Sequence, residues 1–316
     1  MHRLVVLVMM TIGAMSPFAA AADFPTKPVE LIVPWAAGGR TDLIGRVFAA
    51  SAGKHLRQSV VVVNKPGGGG ATGTVTAMNA PADGYTLLVA TVGGNVMRPL
   101  STSVPYRYDS FAPVGQIAAS TIALAARADR PWKTLTELVA DARKRASPPT
   151  FSCPFGVVPH LTMIAVAQRG GVELKLVPQD GDGRSVTAVL GGHVDMVIGS
   201  LAALLPHLKT GDMRALATFG ETRDPVLSDV PTAKEQGFPV VATPWTGIAA
   251  PKATPPEVLS KLRQVFESVM KDPEFVAAMD KLGERVTPIV GEAFGARWKL
   301  DHEQWEEPSK ALKKPS

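Results

Sequence analysis

The chain has 316 residues, of which 46% are hydrophobic and 19% charged, with a formal net charge of +5. That is an ordinary globular balance, long enough for two domains or one large α/β unit with its own core. The mild positive excess, with 6% aromatics and no basic–aromatic interleaving, argues against a nucleic-acid partner, and the single cysteine, Cys153, excludes an intramolecular disulfide framework or a cysteine-based zinc cluster.

The chain opens with Arg3, an apolar run over 4–15, Pro17-Phe18 and then Ala19-Ala20-Ala21-Ala22. This pattern predicts a secretory signal peptide over 1–22, cleaved near Ala22 and before Asp23. The apolar run is shorter than the roughly 20 residues that span a bilayer. No cysteine stands at the cleavage site and no twin arginine precedes the run, so neither a lipid anchor nor folded export is expected. The expected location is the periplasm.

After an extended lead-in, Val29-Glu30-Leu31-Ile32-Val33 reads as a buried strand, followed by the loop Pro34-Trp35-Ala36-Ala37-Gly38-Gly39. A helix follows, with Thr41 or Asp42 as its cap and Leu43, Ile44, Val47 and Phe48 on its apolar face. A second copy of this design comes next: Val60-Val61-Val62-Val63-Asn64 as strand, Lys65-Pro66-Gly67-Gly68-Gly69-Gly70 as loop, and a helix from Ala71 to Asn79. Thr86-Leu87-Leu88-Val89-Ala90 is a third strand, so the start reads β-α-β-α-β and implies a parallel sheet with right-handed crossovers. Residues 91–107 read as irregular, and 114–126 as two strand segments passing into new territory.

A helix is predicted over 134–145, with Thr134 as cap and Glu137 completing a capping box. Strands at 150–153, 174–177, 194–198 and 213–218 then alternate with helices at 160–169, 184–190 and 202–209. Residues 221–239 are turn-rich, 245–250 read as a strand returning to the first unit, and three helices close the chain at 256–270, 273–282 and 292–304. The expected fold is therefore α/β and two-lobed, each lobe a mainly parallel sheet flanked by helices, with two interdomain crossings. The expected division is 23–122 with 246–316 as domain I and 123–245 as domain II.

Enzyme motifs are weak. Gly68-Gly69-Gly70-Ala71-Thr72-Gly73 matches G-x-G-x-x-G, but the next strand ends Val89-Ala90-Thr91 without the acidic residue a dinucleotide site needs. The same stretch lacks the lysine of a phosphate loop. No Gly-x-Ser-x-Gly elbow occurs, and the scattered histidines offer no metal-binding spacing. No cofactor or metal is expected. The two glycine loops have another use. A strand, a glycine-rich turn and a helix aim backbone N–H groups and a helix dipole at one spot, which favours an anion. Backbone donors bind a carboxylate without activating it. The plainer alternative is that each loop is only a tight βα turn.

The residues also resemble a known family. Pro34-Trp35-Ala36-Ala37-Gly38-Gly39-Arg40-Thr41-Asp42 is similar to its Pro-aromatic-x-x-Gly-Gly-x-x-Asp first loop, and Asn64-Lys65-Pro66-Gly67-Gly68-Gly69-Gly70 to its second. Asp83-Gly84-Tyr85-Thr86-Leu87-Leu88, Leu190-Gly191-Gly192-His193-Val194-Asp195, Asp229-Val230-Pro231-Thr232 and Trp245-Thr246-Gly247-Ile248-Ala249-Ala250-Pro251 follow in the family's order. The family is the Bug-type extracytoplasmic solute receptors of tripartite tricarboxylate transporters.

The resemblance implies a monomeric periplasmic receptor, not an enzyme, that closes on a small di-, tri- or aromatic carboxylate and serves membrane transporter subunits. On the first lobe it implies ligand contacts from Trp35, Gly38, Gly39, Thr41, Asp42, Gly70, Ala71, Thr72, Gly73, Thr91 and Asn95. Asp42 is expected to order the helix start and bridging water, being itself an anion. On the second lobe the implied contacts are Ser152, Phe155, Gly156, His160 and Gly199. Here the chain departs from the family: Ser152-Cys153-Pro154-Phe155-Gly156-Val157-Val158-Pro159 replaces a Ser/Gly-rich loop before His160-Leu161. Gln179-Asp180-Gly181 stands for Tyr-Lys-Gly, and Ile198-Gly199 for Phe-Asp. Phe155, Val157 and Val158 make that side more apolar, which points to a hydrophobic or aromatic carboxylate. The alternatives are an exported serine hydrolase using Ser152 or Ser200 with His160, and a receptor that feeds a signalling partner.

Overall fold

A computed structural model describes residues 24–179 and 181–313. The signal-peptide and cleavage-site expectations lie outside them. In chain order the elements are β1 (Val29–Val33), α1 (Arg40–Leu56), β2 (Val60–Asn64), α2 (Ala71–Met78), β3 (Thr86–Thr91), a π-helical turn (Gly93–Met97) and α3 (Arg98–Ser101). The chain continues through β4 (Phe111–Ala119), β5 (Ile122–Arg127), α4 (Leu135–Ala142), β6 (Thr150–Cys153), α5 (Val158–Gly170), β7 (Lys175–Pro178), α6 (Asp182–Leu190) and β8 (Met196–Ser200). Then come α7 (Leu201–Thr210), β9 (Met213–Thr218), β10 (Trp245–Pro251), α8 (Pro256–Lys271), α9 (Pro273–Lys281), β11 (Val286–Val290) and α10 (Glu292–Ser309).

The strands form a six-stranded sheet ordered β11-β4-β10-β3-β1-β2 and a five-stranded sheet ordered β7-β6-β8-β5-β9. The chain passes from the first sheet to the second between β4 and β5, and returns between β9 and β10. The parallel pairing expected from the βα alternation holds for β2-β1-β3 and for β7-β6-β8. The strands around the crossings run antiparallel, β10 to both β3 and β4 and β5 to both β8 and β9, so both sheets are mixed.

Burial follows the period-2 alternation of the strands. Val29, Leu31 and Val33 face one side of the first sheet, where they pack with Ile44 and Phe48 of α1 and Leu262 and Phe266 of α8. Ile32 and Leu88 face the other side and join Trp245, Trp298 and Trp305. That cluster continues without a break into the second lobe, through Leu161 of α5 to Leu124 and Ile198. Each fully buried side chain of this size stabilises the fold by about 1.5–3 kcal/mol relative to exposure.

Several local expectations need correction. The N-cap of α1 is Gly39, with no side-chain cap, because Asp42 reaches back to Gly38 instead. Thr134 does accept the Glu137 N–H, but Glu137 accepts from Lys133 rather than from Thr134, one residue outside a capping box. Residues 91–107 are not wholly irregular: side-chain bonds from within the lobe hold the π-helical turn. The edge strand β11 was not expected, because Pro288 interrupts it; its pairing with β4 shifts register between Val286 and Ile289.

Candidate functional site

β1 runs into a loop at 34–39. Gly38 has φ +81°, a conformation that glycine adopts without strain. Its N–H donates to Asp42 Oδ2 at 2.8 Å, which also accepts from Arg46 Nε at 2.9 Å. Asn64, at the end of β2, donates to Asp42 Oδ1 at 2.8 Å and to the Trp35 carbonyl at 3.1 Å. Asp42 is 1% exposed. Burial pushes its carboxyl up, but the bonds from Arg46, Gly38 and Asn64 outweigh burial and hold it below the usual carboxylate range. Asp42 therefore ties the first loop to β2 with its acceptors already engaged. The N–H groups of Gly39, Arg40 and Thr41 have no protein acceptor among the described residues. They open a 17-residue helix at the carboxyl end of a parallel strand. That is an anion-binding geometry.

The second loop is four glycines with positive φ in a row: Gly67 (+130°), Gly68 (+57°), Gly69 (+64°) and Gly70 (+91°). The Gly68 and Gly69 N–H groups have no protein acceptor among the described residues. Gly70 lies beneath the Trp35 ring, where an added Cβ would come within 3.2 Å of Cζ2. Ala71 and Thr72 follow in the first turn of α2, and their N–H groups bond back to the Gly68 and Gly67 carbonyls. Gly73 serves packing: an added Cβ would lie 2.7 Å from Pro34 Cα and 2.8 Å from the Lys65 carbonyl oxygen.

The third loop is the π-helical turn after β3. Asn95 is fully buried; its Oδ1 accepts the Thr91 N–H at 2.9 Å and its Nδ2 donates to Thr74 Oγ1 at 3.3 Å. Thr91 Oγ1 accepts the Gly94 N–H at 3.2 Å, and Trp298 Nε1 donates to the Asn95 carbonyl at 3.2 Å. Thr91 and Asn95 thus hold this turn rather than offer free donors. Gly93 and Gly94 approach the Trp35 ring, so Trp35 is where all three loops meet.

On the second lobe, Ser152 is fully buried within β6 and its Oγ has no partner among the described residues. Phe155 is 64% exposed, and Gly156 has φ +74°. The Gly156 N–H donates to His160 Nδ1 at 3.1 Å, which places the proton of the neutral imidazole on Nε2. Burial lowers the His160 pKa, and the Phe155 ring lies 5.1 Å from it, centroid to centroid. At the end of β8 the Asp182 carboxylate lies 3.0 Å from where a Gly199 Cβ would stand. Its Oδ2 accepts the Ser200 N–H at 2.9 Å and the Ser200 hydroxyl at 2.6 Å, while the Leu201 N–H goes to the Thr121 carbonyl. The Ser200 and Leu201 amides are thus already engaged. Neither serine of the hydrolase alternative bonds His160 among the described residues. Burial pushes the Cys153 thiol up to about 12, so it is an inert core group.

A cavity of 630 Å³ lies beside these loops, where the crossing segments meet both lobes. Arg40, Ser200, Asp224, Glu284, Arg285 and Arg297 are among its lining residues. None of the sequence-predicted contacts lines it, although Arg40 follows Gly39 and Ser200 follows Gly199. Arg40 pairs with Glu284 and donates to Ser120 Oγ at 3.0 Å and Thr246 Oγ1 at 3.2 Å. Arg285 lies 3.4 Å from Asp224, which also accepts the Thr121 hydroxyl at 2.5 Å. These residues come from distant parts of the chain and carry no common motif. Among the described residues no cluster of His, Cys, Asp or Glu is placed to hold a metal.

Two α/β lobes joined by two crossings, with unpaired amides at the strand ends, define the architecture of a two-lobed solute-binding protein. The sequence profile of the Tripartite tricarboxylate transporter family receptor matches residues 44–293. The chain belongs to this family. Protein BugT of Bordetella pertussis is 32% identical over 285 residues, covering 89% of this chain and 86% of BugT. A TctC solute-binding protein from Polaromonas, solved with no ligand, superimposes with a TM-score of 0.86 at 32% identity, covering 91% of this chain and 99% of its own. MatC from Rhodopseudomonas palustris with bound malate superimposes at 0.66 with 28% identity, covering 90% and 100%. A second R. palustris protein, solved with adipate, superimposes at 0.67 with 28% identity, covering 91% and 98%.

Proposed function

We propose that this chain is an exported periplasmic receptor that captures a small carboxylate between its lobes and delivers it to a tripartite tricarboxylate-type transporter. The observation that carries the reading is the set of unpaired amides: Gly39, Arg40 and Thr41 on one loop, Gly68 and Gly69 on the next. Related proteins that hold malate and adipate support a carboxylate as the anion. In this reading residues 1–22 are removed on export, 23–122 with 246–316 form the first lobe, 123–245 form the second, and the receptor is a monomer.

The ligand docks on the first lobe and the second closes over it by hinge motion at the crossings. The higher superposition score with the ligand-free relative than with the malate- and adipate-bound ones supports an open form here. Driving such an equilibrium from 1:99 to 99:1 takes about 5.5 kcal/mol of preference for the closed form. Contacts present in both forms contribute nothing to that preference, so the second lobe must supply it. Exposed Phe155 and Val157 favour a ligand with an apolar or aromatic body. Calorimetric titration with malate, adipate and benzoate tests the reading. Saturable binding of at least one is expected; binding of none would reject it.

A further inference from the structure

Arg98 opens α3, directly after the π-helical turn, and its side chain lies along the second glycine loop. A Cβ on Gly69 would be 3.5 Å from both Arg98 Cδ and Nη1 and 3.7 Å from Cζ. Arg98 is half-buried; its Nε is fully buried without a hydrogen-bond partner, and its guanidinium makes no ion pair among the described residues. The other arginines near the loops and the hinge differ. Arg40, Arg46, Arg285 and Arg297 each face a carboxylate, on Glu284, Asp42, Asp224 and Asp301. Against the next glycine, Gly70, lies Trp35, whose Nε1 is also buried and has no partner among the described residues. The ring edge bearing that nitrogen, Cε2 and Cζ2, comes within 3.6 and 3.2 Å of a Cβ placed on Gly70.

Even partial removal of a guanidinium from water, here at Nε, is unfavourable without a counter-charge, and an anion placed against its fork offsets that penalty. The adjoining Gly68 and Gly69 amides would satisfy further lone pairs of the same anion. We propose that Arg98 is the fixed positive charge of the binding site, its guanidinium fork receiving one carboxylate of the ligand over Gly68-Gly69. This rests on the carboxylate reading above and adds the residue that distinguishes a carboxylate from an uncharged isostere. Backbone amide N–H groups donate to an ester or amide carbonyl nearly as well as to a carboxylate; an arginine fork, which adds a full charge and two parallel donors, favours the carboxylate.

The test is calorimetric titration of malate, adipate and benzoate into the wild type, R98M and R98K, with a melting curve of each unliganded protein. R98M keeps the apolar stem against Gly69 and removes the charge. The proposal expects unliganded melting of both variants to match the wild type. Affinity for each carboxylate that the wild type binds should fall at least about tenfold in R98M, the worth of one charge-assisted hydrogen bond, and recover partly in R98K. R98M affinity within twofold of the wild type would overturn the role of Arg98 and leave the receptor reading standing. Equal losses in R98M and R98K accompanied by lowered melting would assign Arg98 to packing and overturn the proposal too. A wild type that binds none of the three would reject both readings.

Discussion

Gly73→Ala probes the seam on which the first two loops are built. A single methyl at this position would stand 2.7 Å from Pro34 Cα and 2.8 Å from both Pro34 Cβ and the Lys65 carbonyl oxygen. Ordinary contact begins at 3.4 Å, so α2 and the loop at Pro34 must separate by about 0.7 Å. The opposing atoms are largely backbone, and they cannot yield by changing rotamer. Overpacking of this kind costs about 1–3 kcal/mol. For a protein of this size each kcal/mol lowers the melting temperature by about 2–4 °C, so the variant should melt about 2–12 °C below the wild type. Gly39→Ala is the matched control: φ is −78° and the nearest atom to its Cβ would be the Ala36 carbonyl oxygen at 3.5 Å. Replacing a glycine N-cap by alanine should cost less than about 1 kcal/mol. Thermal unfolding followed by circular dichroism measures both. Equal melting temperatures for Gly73→Ala and the wild type would refute the packing role and return Gly73 to the ligand.

Asp42→Ala removes the acceptor shared by Gly38, Arg46 and Asn64 and should cost about 1.5–3 kcal/mol; an unchanged urea midpoint would contradict the tie between the loops. Burial lowers the pKa of both His160 and His302 below the ordinary 6.5. The unfolded chain therefore binds protons more readily at these positions, and their contribution to stability is present above pH 6.5 and lost as pH falls toward the folded values. The melting temperature of H160Q/H302Q should fall less between pH 7.5 and 5 than that of the wild type, and an identical or steeper fall would count against it. Small-angle scattering should show a smaller radius of gyration at saturating ligand, and no change would reject hinge closure.

The fold was largely legible because its strands are β-branched or apolar runs punctuated by Gly, Pro and capping residues. Val60-Val61-Val62-Val63 and Thr86-Leu87-Leu88-Val89 needed no tertiary information to be read as strands. β11 was missed because Val286-Thr287-Pro288-Ile289-Val290 carries a proline that an edge position tolerates and a central one does not. The π-helical turn was missed because Gly93-Gly94-Asn95 disfavours a helix locally. Tyr106, donating to the Gly94 carbonyl at 2.8 Å, and Trp298, donating to that of Asn95, supply what propensity lacks. At the site, the two glycine loops were visible as motifs. The engagement of Asn95 within its own lobe was not, since it depends on Thr74, twenty-one residues away. Arg98 and the cavity around Arg40 and Arg285 were equally hidden, because each is assembled by the topology and none belongs to a local pattern.

The central claim is that unpaired backbone donors of the first lobe hold the carboxylate. A crystal structure of the protein with the carboxylate it binds most tightly tests this directly. The account predicts carboxylate oxygens within 2.7–3.2 Å of the amides of Gly39–Thr41 and Gly68-Gly69, with the second lobe closed over the remainder of the ligand. A ligand seated in the 630 Å³ cavity against Arg285 and Ser200, with the glycine loops empty, would contradict it.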